Sequence, residues 1–213
     1  MRADGLGRRP LLGSLLLGSL WAVIGLGIGT AAGARAEPTA EAARELVETI
    51  GNKVLATLRD AGLSDQQKFD QLVELLSGPI DLNLVARLIL GRYWRTASDG
   101  QREEYLKLFR AFALHTLASR LNVYGGQDFE ITGAKAVGDR DALVSTRIVG
   151  NGPPVKVDWR VRELDDHSLV AIDLIVEGVS LIVTQRSEFA SVIERQGMDG
   201  LLGELRRRAE ERA

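Results

Sequence analysis

The chain has no cysteine among its 213 residues, which removes disulfides, thiolate nucleophiles and thiolate metal sites together. Histidine is nearly absent as well. His115 and His167 are far apart in sequence, and neither has the clustered Asp, Glu or His neighbours that a metal site needs. Aromatic residues make up only 5%, so the 45% of hydrophobic residues is mainly Leu, Val, Ile and Ala. No charge of either sign dominates: 27 basic side chains stand against 29 acidic ones. Nucleic-acid binders usually show a basic excess or stripe, so nucleic acid is not an expected partner. No Gly-x-Ser-x-Gly elbow and no phosphate-cradling glycine loop is present. The sequence therefore points to no catalytic constellation, no metal and no cofactor.

What is present begins with a leader. Arg8 and Arg9 precede the uncharged run LLGSLLLGSLWAVIGLGIGTAAG, and Ala34-Arg35-Ala36 follows before Glu37. A basic region, an apolar core and a small-x-small site make a secretory signal peptide over residues 1–36. A permanent inner-membrane anchor is the rival, because the uncharged run is long enough to span a bilayer. Glycines scattered through the run and the well-placed Ala34-Arg35-Ala36 favour cleavage. Two arginines alone do not separate twin-arginine from Sec export. Removing residues 1–36 takes away Arg2, Arg8, Arg9 and Arg35 against Asp4 alone, which leaves an exported, more acidic single domain over residues 37–213.

That domain changes period halfway. Between Glu41 and Asp60, Leu46, Val47, Ile50, Val54, Leu55 and Leu58 recur at helical spacing, and Gly62 stops the pattern. Ser64…Gln67 and Ser98…Gln101 have the spacing of helix-capping boxes. The second opens the longest helix, in which Tyr105, Leu108, Phe109, Phe112 and Leu117 share a side. A short apolar segment, IDLNLVARLIL, lies between them and ends at Gly91. In LGRYWRTAS, a helix-to-helix connector, Tyr93 and Trp94 are expected to pack on the core. From Gln127 the pattern becomes that of strands with short connections, an antiparallel meander of about four. Val155, Val157, Trp159 and Val161 face one way and Lys156, Asp158, Arg160 and Arg162 the other. Two further helical segments follow Val183. Helices, one meander, then helices predict an α+β domain with the N-terminal helices packed on a curved antiparallel sheet.

The last long strand, within SLVAIDLIVEGVSLIV, hardly alternates. Strict alternation would put Val170, Ile172, Leu174 and Val176 on one face and Leu169, Ala171 and Ile175 on the other. Burial on both faces between helix layers accounts for this; so does a sheet whose concave face lines an apolar cavity. Asp173 in its midst is costly unless paired or hydrogen-bonded. One reading is a salt bridge to Arg92, Arg95 or Arg147; the other is a polar group at a cavity mouth. Glu177-Gly178 marks a bulge or sharp bend, and Ser180 shapes the turn.

LGRYWRTASDGQREEYLKLFRAF, DLIVEGVSLIVTQRSEF and IERQGMDGLLGEL, in that order, resemble the MlaC or toluene-tolerance family of phospholipid-binding proteins. The likeness runs from about Glu41 to Leu205 and rests on Leu90-Gly91, Trp94-Arg95, Gln101-Arg102 and Glu177-Gly178-Val179-Ser180. One departure stands at Leu169, where family members often carry Trp, which bears on the size of the ligand. The resemblance implies a curved sheet related to NTF2-like and cystatin-like folds. It implies a periplasmic lipid carrier, not an enzyme, that shuttles phospholipid between an outer-membrane lipoprotein complex and an inner-membrane ABC transporter complex to maintain lipid asymmetry. A polycyclic lipid such as a hopanoid is an alternative cargo, and a small NTF2-like enzyme using Asp173 is an alternative function.

A carrier needs aliphatic walls more than directional groups. The expected lipid-binding wall is Phe109 and Phe112 from the long helix, with Val144 and Ile148 from the second strand. Val155, Val157, Trp159 and Val161 join them from the third strand, then Ile172, Leu174, Val176, Val179 and Leu181. Plain core packing predicts the same apolar stripes. A cavity of at least about 300 Å³ separates the two, that being the low end for small-molecule pockets.

Overall fold

The computed structural model describes residues 32–121 and 125–210. Arg8, Arg9 and the uncharged run as far as Ala31 lie outside the described residues. No helix among the described residues is long and apolar enough to cross a membrane.

Five helices come first: α1 (Ala32–Arg59), α2 (Asp65–Ser77), α3 (Leu82–Leu90), the single turn α4 (Tyr93–Thr96) and α5 (Asp99–Leu121). The sheet follows as β1 (Asp128–Val137), β2 (Asp141–Val149), β3 (Val155–Glu163), β4 (Leu169–Val176) and the two-residue β5 (Val179–Ser180). Helix α6 (Leu181–Glu210) ends the described chain. The α+β class and the meander are as expected, with a short fifth strand added at the end and with strands in sequence order.

Local chemistry explains the boundaries. In α1, Ala43, Val47 and Ile50 are buried at helical spacing, and the helix starts earlier than the expected Glu41. Ser64 Oγ accepts from the Gln67 N–H while Gln67 Oε1 accepts from the Ser64 N–H, closing the capping box of α2. Ser98 and Gln101 do the same for α5. The segment before Gly91 is helix α3, opened by Asp81 Oδ1 accepting from the Leu84 N–H at 2.9 Å. Gly91 ends it at φ +56°, where an L side chain would be strained. The guanidinium groups of Arg87 and Arg102 lie over the Trp94 ring, 5.4 and 5.5 Å from its centroid. With Tyr93 it packs against the helical core, as the connector reading expected.

Every adjacent pair in the sheet is antiparallel. Glu177 and Gly178, both at positive φ, form the two-residue loop between the paired Val176 and Val179, which is what a type I′ hairpin turn requires. The outer edge of β4 is covered: beyond β5, the Pro79 carbonyl accepts from the Ala171 N–H at 2.8 Å.

One expectation about β4 is overturned by its pairing. Val161 opposes Ala171 but Arg160 opposes Asp173, so Ile172 is an extra residue, a β-bulge. The bulge reverses the parity of the strand. Leu169, Ala171, Leu174 and Val176 share the inner face with Val157, Trp159 and Val161, whereas Val170, Asp173 and Ile175 oppose Arg162, Arg160 and Asp158.

Among the described residues, many of the buried apolar side chains gather in two clusters. One joins α3, α5 and α6 around Tyr105, Phe109, Phe189 and Leu201. The other lies between α1 and the sheet, around Ala43, Val47, Ala142, Val144 and Val161. The ground between them is where the functional site lies.

Candidate functional site

Two apolar cavities occupy that ground, of about 380 and 520 Å³. The first is bounded by α3, α5, the start of α6 and β4, with Val85, Phe109, Phe112 and Ile172 on its wall. The second is bounded by α1, the end of α2, the start of β1 and the 150–153 connection, with Val54, Phe129, Ile148 and Val157 on its wall. Each exceeds the ~300 Å³ at which small-molecule pockets begin. They share a wall: among the described residues, Ile80, Leu117, Trp159, Leu174 and Leu181 line both.

The sequence-predicted wall residues divide as follows. Phe109, Phe112 and Ile172 line the first cavity; Ile148, Val155, Val157 and Val176 line the second; Trp159, Leu174 and Leu181 line both. Val144 and Val161 point from the same sheet face but are fully buried under Ala43 and Val47, where α1 presses directly on the sheet. Val179, 58% exposed in the β4–β5 hairpin, lines neither. The expectation overlooked α1 and α3, which supply Ile50, Val54, Leu55 and Leu58 on one side and Leu82, Val85 and Ile89 on the other. Their helical stripes were visible in sequence, but a stripe has the same spacing whether it meets a side chain or a void.

Close approach is managed at Gly51 in α1. A Cβ there would meet the Phe129 ring at 2.5 Å, so only glycine lets α1 lie against that ring at the edge of the second cavity.

Polar groups are few and mostly satisfied from within. Asp173 lines the first cavity without the expected arginine partner. Its Oδ2 accepts from the Ser180 hydroxyl at 2.5 Å and its Oδ1 from the Ile182 N–H at 3.1 Å. Ser180 Oγ accepts in turn from the Val183 N–H at 3.1 Å, so both side chains cap the N-terminus of α6. A carboxylate there also opposes the positive end of the helix dipole. Arg208 stands at the rim over the Phe112 ring and pairs with Glu204. On the outer face of the sheet, Asp141 is buried between Arg160 and Arg162. Burial alone would raise its pKa, but hydrogen bonds and charge from Arg162 and Arg160 outweigh this and hold it below the usual carboxylate range. His115 packs against Phe69 at 5.4 Å between ring centroids, and His167 hydrogen-bonds Glu163 in the β3–β4 turn. Among the described residues no group of three or more His, Asp or Glu is placed to hold a metal.

The fold is an α+β domain in which an antiparallel sheet and helices bound aliphatic-walled cavities. The chain belongs to the MlaC family, whose model, described as MlaC protein, matches residues 48–207. It is 24% identical over 134 residues to the intermembrane phospholipid transport system binding protein MlaC of Haemophilus influenzae. That match spans 61% of this chain and 63% of the relative's length, under two thirds of it. Among solved structures it resembles the phospholipid-binding protein of Ralstonia solanacearum, determined in complex with a phospholipid. There the TM-score is 0.70 at 28% identity, covering 79% of this chain and 97% of that one.

Proposed function

We propose that this chain is a periplasmic carrier that holds the acyl chains of a phospholipid in the two adjoining cavities. It passes lipid between an outer-membrane lipoprotein complex and an inner-membrane ABC transporter complex. The observation that carries this reading is the pair of apolar cavities that share a wall at Trp159 between sheet and helices. The Haemophilus relative's name and the phospholipid in the Ralstonia structure support the same ligand class.

The physics of a shuttle needs little more. Covering each methylene from water is worth about 0.8 kcal/mol, so two ordinary acyl chains left wet would cost on the order of 20 kcal/mol. An interior about as apolar as a bilayer lets the lipid leave one membrane and enter another without a large loss at either step. In this reading no bond is made or broken. Asp173, the carboxylate on which an enzyme would rely, has both oxygens engaged at the start of α6.

The test is direct. Protein purified from a bacterial host and extracted with organic solvent should release phospholipid in stoichiometric amount by mass spectrometry. Folded protein that yields none, and takes up none from vesicles, overturns the reading. A polycyclic lipid in the extract would replace the cargo and keep the carrier.

A further inference from the structure

We propose that Trp159 is a fixed partition that sends the two acyl chains of one phospholipid into separate cavities, making the site selective for two-tailed lipids. The proposal rests on the carrier reading and adds to it a seating for each tail.

Among the described residues five side chains line both cavities, and four of them, Ile80, Leu117, Leu174 and Leu181, are aliphatic. The fifth is the indole of Trp159, the one ring in the shared wall and the one member held by a side-chain hydrogen bond. Trp159 Nε1 donates to Thr146 Oγ1 at 3.2 Å. Thr146 donates its own proton to the Val157 carbonyl at 2.7 Å, which leaves a lone pair aimed at the indole. Thr146 is fully buried on the apolar inner face, where an unsatisfied hydroxyl would be costly. The pair is therefore mutually satisfied, and its consequence is an indole whose tilt is set by the β2–β3 backbone rather than by whatever fills the cavities. A flexible aliphatic wall would yield to its contents; a pinned ring divides them.

Division has a consequence for the ligand. A lipid with one tail fills one cavity and leaves the other without contents. A rigid fused-ring lipid needs one undivided space. A diacyl lipid straddling Trp159 fills both. Seating both tails side by side in one cavity is the competing arrangement, and it leaves the other cavity idle.

Substitutions that fill one cavity distinguish the two. Val85 lines only the first cavity and Val54 only the second. Delipidated Val85→Phe and Val54→Phe proteins are titrated with diacyl phosphatidylethanolamine and with its single-chain lyso form, and bound lipid is counted by native mass spectrometry. Each variant should lose diacyl affinity at least about tenfold, since leaving two methylenes wet suffices for that, while still binding one lyso lipid. Either variant retaining wild-type diacyl affinity overturns the partition. Should one fail to fold by circular dichroism, Ala113→Phe or Ile148→Trp fills the same cavity and is judged by the same criterion. Trp159→Ala should narrow the preference for diacyl over lyso lipid, and an unchanged preference also counts against the proposal. Wild-type protein that binds neither lipid sinks the carrier reading instead, so the two failures are separable.

Discussion

Asp173 shows how one side chain is read differently in one dimension and in three. A carboxylate in an aliphatic strand demands a partner, and the sequence offers arginines. The partners are a serine hydroxyl seven residues on and a backbone N–H nine residues on, both reached because the β4–β5 hairpin folds the start of α6 back beside it. Asp173→Ala should lower stability by about 1–2 kcal/mol, the usual loss of a helix cap, as a shift of the urea midpoint. A lost turnover, rather than this loss of stability, would revive the enzyme alternative. Tyr105 makes a second case. Its ring is fully buried and its hydroxyl donates to the Ala86 carbonyl at 3.0 Å, tying α5 to α3. Burial pushes its pKa well above the ordinary tyrosine value. A raised folded-state pKa stabilises below the unfolded value and loses that contribution as pH rises past it, so the cost falls in alkali. An ultraviolet absorbance titration should find one of the three tyrosines ionising only as the protein unfolds. Tyr105→Phe should remove that component and cost about 1 kcal/mol at neutral pH.

Elements are joined by contacts that no local pattern announces. Asp141 begins β2 and accepts from Arg160 and Arg162 of β3. Its depressed pKa stabilises the meander above the ordinary carboxylate range and is lost as pH falls through the folded value. Asp141→Asn should therefore destabilise the protein at pH 7 by about 1–3 kcal/mol and flatten the acid limb of a stability–pH curve. In α6, Gly197 sits at φ +73° with open space where a Cβ would go. Its ψ of −178° puts it in a region essentially reserved for glycine, so Gly197→Ala should cost about 1–3 kcal/mol through backbone strain alone, seen as a lowered melting temperature. Much at this scale was legible beforehand. Both capping boxes and the stop at Gly91 depend on residues within a turn of one another. The bulge at Ile172 was not. A bulge inserts one residue without altering composition, and only the hydrogen-bonding partner reveals that Ala171 and Leu174 share a face.

At the scale of the whole molecule, two apolar clusters that stop short of each other leave the space a lipid would fill. A protein stabilised by a ligand that binds only its folded form should lose melting temperature when the ligand is stripped. Delipidated protein should melt several degrees below the loaded form and recover on incubation with phospholipid vesicles, a shift that differential scanning calorimetry can follow. No shift would mean that the lipid does not bind the folded form preferentially, which counts against its seating in the cavities.

The sequence by itself determined the α+β class, the order of helices and strands, the caps and the family, because these depend on periodicity and on neighbours a few residues apart. Only the tertiary structure decided which apolar residues face a void and which face one another. Val144 and Val157 are alike in type and share the inner sheet face, yet one is sealed under α1 and the other opens onto the second cavity. The difference is the path of α1 over the sheet. Burial in protein and exposure to a dry cavity make the same demand on a side chain, so composition cannot tell them apart.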